Sequence, residues 1–543
     1  MSLLKPLSER DGVPAGTAGG RPAGPNGSWW QHHPLAFWSA VSVVLGALSC
    51  AIWNPVPGFD VYSWIVWGRS ASDPHMVFYI SGGPSWKPLP VLFTSFYGLF
   101  GQAAPTLWVI TARAGGILGL LGIFRLSLEL TDRAQLPRWS GWVAGVVGCV
   151  GLIMTAPNID ANWTHNFFRG TAEPVMIAAW LWAIDAMLRR RHLLAYTLVA
   201  AEGLIRPEAW LFLFAYGVWL WFAHPRLRVW VVLGLLAQPV GWFAPPGIST
   251  GHPFMAATNA HSYNGQLGGN WLKTILDRAY TLQPLPTLVF AAIATVTALW
   301  RQRQRLAIWR TEDRMAVWAG RDSLTLSLAV LSCAWWLVVI VETGAGYPGL
   351  QRFFFPAAAT ACVLSGLGFV EVAACAGRSA ARLLDAGRRA GAVMITGRTT
   401  VLASIGAVAV LGVVSYPFIT SRLAYARIQK SQVGVERRQL HDLSAAITAL
   451  GGTKALLPCA SSAVTINSTY QPEMAWEMAV DLTRVKSRLV EPGVAFITRT
   501  TSYDGPLHRF GPGLHRRRLL GRWGAWRVYQ VYGAGPKPRC VGR

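Results

Sequence analysis

Between residues 35 and 419 the chain returns repeatedly to apolar runs of bilayer-spanning length. A helix needs about 20 such residues to cross the hydrocarbon, and a spanning segment must satisfy its backbone polar groups internally. The runs fall at 35–53, 106–128, 140–156, 173–188, 193–205, 208–223, 229–245, 284–300, 323–342, 353–375 and 400–419. Only 14% of the 543 residues are charged, against about 25% in a soluble domain. This excludes a string of water-soluble domains. It predicts an α-helical polytopic membrane protein of about eleven transmembrane helices.

The formal net charge of +24 would suggest a nucleic-acid partner in a soluble protein, but its distribution excludes one. Loops 129–139, 189–192, 224–229, 301–322 and 376–399 carry 18 Lys/Arg, whereas loops 54–105, 157–172, 206–207, 246–283 and 343–352 carry 7. Positive charge marks the cytoplasmic side, so the N-terminus is expected inside and the tail outside. The apolar stretch 89–101, bounded by prolines and Gly101, is read as an interfacial helix of the first outer loop; counting it as a span would reverse every later loop.

Three regions follow. Residues 1–34, rich in Gly and Pro, read as a disordered cytoplasmic arm. Residues 35–420 form the transmembrane domain. Residues 421–543, with 19 Lys/Arg against 7 Asp/Glu, read as a small extracytoplasmic α/β domain with a helix over 435–450, strands over 455–466 and 494–498, a helix over 472–482 and a terminal strand over 526–532. The run His515-Arg516-Arg517-Arg518 suits an anionic surface or is simply a solvated basic face. Of seven cysteines, Cys50, Cys149, Cys333, Cys362 and Cys375 lie in or beside apolar segments and show no metal-ligand spacing. Cys459 and Cys540 lie in the tail, where an oxidising compartment would let them pair. No nucleotide-binding glycine loop is present.

Four clusters on the expected outer face carry ionisable groups, which are costly at membrane depth and therefore informative. The first outer loop contains Gly58-Phe59-Asp60-Val61-Tyr62 and then Trp86-Lys87-Pro88-Leu89-Pro90. A carboxylate among interfacial aromatics can serve as a general base, or can cap a short helix. Arg169 and Glu173 are spaced one helical turn apart, Arg206-Pro207-Glu208 separates two short apolar runs, and Arg352-Phe353 opens a late span. Arg113, near the outer end of the second span, either meets a lipid headgroup or snorkels.

The order of these motifs resembles the GT-C superfamily of integral-membrane glycosyltransferases, especially the bacterial protein-mannosyltransferase and aminoarabinose-transferase-like group. The resemblance covers about 35–370. It rests on Asp60, Lys87-Pro88-Leu89, Arg169 with Glu173, Arg206-Pro207-Glu208, and Arg352-Phe353 with Pro356. Val61 and Trp86 stand where the family often has acids, so no metal-ligand set is defined. A divalent metal stays open as a cofactor, with His252 either a ligand or a surface hydrogen-bonder.

The resemblance implies a GT-C-like fold in the bacterial plasma membrane and transfer of a sugar, with inversion, from a polyprenyl-phosphate donor to an extracytoplasmic glycan, lipid or protein acceptor. Asp60 would be the general base. Lys87, Arg206 and Arg352 would meet the donor phosphate, with Glu208 beside them, and Arg169 and Glu173 would position donor or acceptor. The alternative is a transporter or flippase of lipid-linked glycans, which should place its critical charges near the bilayer midplane.

Overall fold

The structure is a computed structural model, and it describes residues 33–71, 85–156, 162–262, 270–308, 322–388, 397–459, 461–498 and 517–533. The expected N-terminal arm, apart from its last two residues, lies outside this set, as do Arg516 and Cys540.

Each of the eleven apolar runs is helical for most of its length, the last being split between two helices at Tyr416. In chain order the helices are α1 (Pro34–Ile52), α2 (Phe59–Arg69), α3 (Pro88–Gly98), α4 (Ala104–Arg133), α5 (Arg138–Ile153), α6 (Trp163–Arg169), α7 (Glu173–Leu188), α8 (His192–Gly203), α9 (Trp210–Ala223), α10 (Arg228–Thr250), α11 (Met255–Ser262), α12 (Trp271–Leu282), α13 (Leu285–Ile308), α14 (Ser323–Gly344), α15 (Phe355–Arg388), α16 (Gly397–Ser415) and α17 (Pro417–Ala449). By length and composition 6 of these segments can cross a membrane, or up to 8 if each of two bent pairs is one span. The difference from eleven lies in α5, α8 and α9, of 16, 12 and 14 residues. At about 1.5 Å per residue they fall short of a hydrocarbon layer of about 30 Å.

Two helices organise the bundle. α4 packs against α1, α5 and α7, and α15 against α5, α13, α14 and α16. From Phe355 to Val370 every residue of α15 is buried, as expected of a helix that is apolar all round. Gly115, Gly119 and Gly122 let α4 meet α7 closely; a Cβ on Gly115 would lie 2.8 Å from the Val175 Cα. Such small-residue contacts substitute for the hydrophobic drive that lipid removes.

Beyond the spans, α17 runs for 33 residues, so the expected boundary at residue 421 falls inside one continuous helix. Gly451 and Gly452, both at positive φ, then turn the chain into a short helix α18 (Gly452–Leu456), followed by β1 (Val464–Ile466), α19 (Gln471–Glu477), β2 (Val485–Lys486), β3 (Gly493–Thr498), β4 (Arg517–Trp523) and β5 (Trp526–Val531). The five-stranded sheet has the order β2-β1-β3-β5-β4, with β1 parallel to β2 and β3, and β5 antiparallel to β3 and β4. The strand expected over 455–466 shrinks to its last three residues because α18 takes its beginning. The helix expected over 472–482 ends at Glu477, two residues before the left-handed Ala479 (φ 52°). Strands β2 and β4 were not expected; the arginines of β4 masked its pattern. Cys459 is disulfide-bonded, and the five span-associated cysteines are free.

The sheet region is joined to the first loop. Arg69, closing α2, donates to the carbonyls of Ala475, Trp476 and Val480 at 3.3, 3.2 and 2.9 Å, and Ser70 donates to Asp481 at 3.0 Å. α2 is pressed equally hard against α3. Thr94 donates to the Trp64 carbonyl at 2.7 Å, and a Cβ on Gly68 would lie 2.4 Å from the Thr94 carbonyl carbon.

Gly68→Ala should therefore force α2 off α3, at an overpacking cost of about 1–3 kcal/mol. A lower thermal midpoint of the detergent-solubilised protein is expected, whereas Leu92→Ala, on the 66% exposed face of α3, should leave it unchanged. Equal midpoints for Gly68→Ala and wild type would show that this contact does not hold α2.

Candidate functional site

Most of the charged residues singled out in the sequence occupy helix starts, and two prolines explain how two of them are presented. Lys87 precedes Pro88 and Arg206 precedes Pro207, and a residue before proline is driven out of the helical region into extended backbone. Lys87 accordingly has φ −141° and ψ 113°, and Arg206 φ −143° and ψ 123°. Each sits immediately before the first turn of α3 or of the 3₁₀ turn Pro207–Ala209 that leads into α9. Asp60 is in the first turn of α2, Glu173 opens α7, and Arg352 lies in the 3₁₀ turn Gln351–Phe354 that leads into α15.

These starts converge on one carboxylate. Glu173 Oε1 takes a hydrogen bond from Arg206 Nη2 at 2.9 Å and one from Lys87 Nζ at 3.3 Å, and Arg352 Nε lies 3.8 Å away. Arg352 Nη2 reaches Asp60 Oδ2 at 3.4 Å, and Arg206 Nη1 reaches Glu208 Oε1 at 3.5 Å. The Arg206 guanidinium stacks 3.7 Å from the centroid of Phe353, and Lys87 Nζ lies 5.2 Å from that of Trp64. The Glu173 side chain is 0% exposed, whereas those of Asp60 and Arg352 are each 19% exposed. The cluster thus has a dry centre and an accessible rim.

Burial pushes the Lys87 ammonium down to about 8, with the Glu173 carboxylate working against that shift and the Arg206 and Arg352 charges adding to it. Lys87 is therefore a cation that can lose its proton in mild alkali.

Six of the seven expected site residues are together: Asp60, Lys87, Glu173, Arg206, Glu208 and Arg352. Arg169 is elsewhere. Its one-turn spacing from Glu173 presumed a continuous helix, but Gly170 adopts φ +66° and α6 and α7 meet at 109°. Arg169 turns instead to Glu436 of α17, with which it forms an ion pair. Arg113 neither meets lipid nor snorkels. It is fully buried and ties α1 to α6 through Ser49, the Trp53 carbonyl and the Phe168 carbonyl at 3.3, 2.9 and 3.3 Å.

Residues not singled out from the sequence also matter. Glu202 is fully buried four residues before Arg206 and within electrostatic reach of Glu208. Glu342 is also within reach of Glu208 and Arg206. A carboxylate inside an apolar run is the signal that would have found Glu342. Burial pushes the Glu473 carboxyl of α19 well above its ordinary range.

Among the described residues no group of three or more His, Cys, Asp or Glu could hold a metal ion. The donor set explains this: Asp60 and Glu173 face cations rather than each other. His252 is exposed in the turn between α10 and α11. The described residues of this cluster do not fit a divalent ion.

No family model and no curated protein matches the chain. Among the solved structures similar to the chain are two of ArnT from Cupriavidus metallidurans. The one bound to undecaprenyl phosphate is 13% identical and the apo one 14%; each covers 93% of this chain and 99% of its own, at a TM-score of 0.47. At that identity and TM-score the likeness assigns neither family nor activity.

Removing one partner of a buried ion pair typically costs about 3–5 kcal/mol, because the other charge is stranded. Glu173→Ala removes the carboxylate that three cations share, so its thermal midpoint in detergent should fall further than that of Asp60→Ala at the rim. The reverse order would show that Glu173 is not the centre of the cluster.

Proposed function

We propose that the chain is a membrane glycosyltransferase that moves a sugar from a polyprenyl-phosphate donor to an extracytoplasmic acceptor. The observation that carries this reading is the gathering of Lys87, Arg206 and Arg352 around Glu173 with Asp60 at the accessible rim. A leaving phosphate needs cations placed in advance, and an acceptor hydroxyl needs a base it can reach.

In this reading the donor phosphate enters at the rim and takes hydrogen bonds from Arg352, which releases Asp60 from its 3.4 Å pair. The Asp60 carboxylate accepts the proton of the acceptor hydroxyl as that oxygen attacks the anomeric carbon from the side opposite the phosphate. The bond from the anomeric carbon to the phosphate oxygen breaks, its electron pair leaves with the polyprenyl phosphate, and the configuration inverts. Arg206 and Lys87 bear on the charge that develops on the leaving group. Glu173 and Glu208 hold the arginines in place and touch neither reactant.

The site is on the extracytoplasmic side in this proposal, with the N-terminus inside and the sheet region outside. The excess of Lys/Arg in the alternate loops supports that orientation, and so does the disulfide of Cys459. A flippase is disfavoured because the loop charges put these residues at the outer ends of the spans, whereas a transporter should carry its critical charges near the bilayer midplane.

Transfer from radiolabelled polyprenyl-phosphate sugars by the purified full-length protein tests the proposal. Asp60→Asn keeps the shape and loses the proton acceptor, so transfer should fall by about 10²–10⁴-fold while donor binding persists. Transfer within a few-fold of wild type would remove Asp60 as the base, and no transfer from any such donor by wild type would remove the enzyme reading.

A further inference from the structure

α8 and α9 each have one end in the charge cluster, at Glu202 and near Glu208. At their other ends two turns face each other, residues 189–191 between α7 and α8 and residues 224–227 between α9 and α10. They flank an open cavity of about 930 Å³. Arg190, Arg191 and Arg226 line it with His192 and His224, no carboxylate does, and Leu194 and Leu227 contribute to its apolar wall.

The cavity is held in shape by its own bonds. The imidazoles of His192 and His224 lie 4.5 Å apart at 32°, with Trp219 edge-on to both at 5.2 and 5.3 Å. His192 Nδ1 is 3.0 Å from the Tyr216 hydroxyl. Arg190 is held at φ 56°, a left-handed conformation unfavourable for a side chain of its size. Its turn is closed by N–H bonds from Arg190 to the Met187 carbonyl and from Arg191 to the Ala186 carbonyl, at 3.0 and 2.9 Å. Asp185 is taken by Arg125 and Arg189 and does not line the cavity. Three arginines lining it with no acid beside them make a site for an anionic phosphate.

The surface beside the cavity says what kind of anion. Phe222, Val229 and Trp230, on α9 and α10 beside the 224–227 turn, are 65%, 68% and 51% exposed. Such apolar surface on membrane helices faces acyl chains. We propose that the cavity binds the phosphate headgroup of an anionic phospholipid, whose chains lie along this apolar face of α9 and α10. A phospholipid there would brace the ends of α8 and α9 opposite the charge cluster. The site is independent of the transferase reading, because none of its residues belongs to that cluster.

Native mass spectrometry of the delipidated full-length protein, titrated with phosphatidylglycerol or phosphatidylcholine, tests this. Wild type should retain phosphatidylglycerol selectively. At about fivefold per arginine near a lipid surface, the triple variant Arg190→Gln, Arg191→Gln, Arg226→Gln should lose on the order of a hundredfold in affinity. The exposed single change Arg226→Glu, which the fold tolerates most easily, should lose at least about fivefold. Arg133→Gln with Arg138→Gln, basic residues outside the cavity, should retain wild-type affinity. Equal retention by wild type and both cavity variants, or equal loss in the Arg133 and Arg138 control, would overturn the site. Displacement of the lipid by millimolar inorganic phosphate would assign the cavity to a soluble anion and overturn the phospholipid.

Discussion

The carboxylate of Glu173 is the interaction on which the site depends. It opens α7 inside the bundle with no exposure to solvent, and it gathers an ammonium and two guanidiniums from three separate helix starts. An unpaired charge at that depth would be expelled or neutralised. The mutual need of these groups therefore fixes where α3, α7, α9 and α15 begin relative to one another. Cations at helix starts oppose the macrodipole, so the arrangement is not one that helix stability alone would choose. Its use lies in what the cations can meet when an anion arrives.

Asp60 belongs to the same network but stands at its edge. α2, which carries it, is clamped between α3, through Gly68 and Thr94, and the C-terminal region, through Arg69 and Ser70. Arg169 and Glu436 add a further tie between α6 and α17. The C-terminal region, read from its sequence as a small α/β domain, thus bears directly on the helix that holds the rim carboxylate.

Much of this was legible because local rules carried it. Lys87-Pro88 and Arg206-Pro207 declare extended backbone ahead of a helix, and apolar runs bracketing them declare membrane depth, so charged groups could be assigned to one face before any contact was known. What depended on distance in the chain was not legible. Spacing placed Arg169 beside Glu173, but the left-handed Gly170 broke the helix and a glutamate 267 positions later, Glu436, took the arginine. Strand β4 was hidden because its arginines satisfy no alternation; its place at the sheet edge comes from pairing with β5. The runs at 140–156, 193–205 and 208–223 gave helices as expected, but helices too short to cross the hydrocarbon.

The central claim is that a phosphate is held by the cations around Glu173, and Lys87 provides the most direct test. Its ammonium, brought down to about 8 by burial, is charged below that pH and neutral above it, while a phosphate monoester stays dianionic across the same range. Binding of polyprenyl phosphate to the full-length protein, measured from pH 6.5 to 9.5, should hold steady at first and then weaken above pH 8 by up to about tenfold per pH unit, as for any single linked proton. Lys87→Arg, whose guanidinium keeps its charge, should bind with a flat profile over the same range. A flat profile in wild type, or the same alkaline loss in Lys87→Arg, would contradict the account.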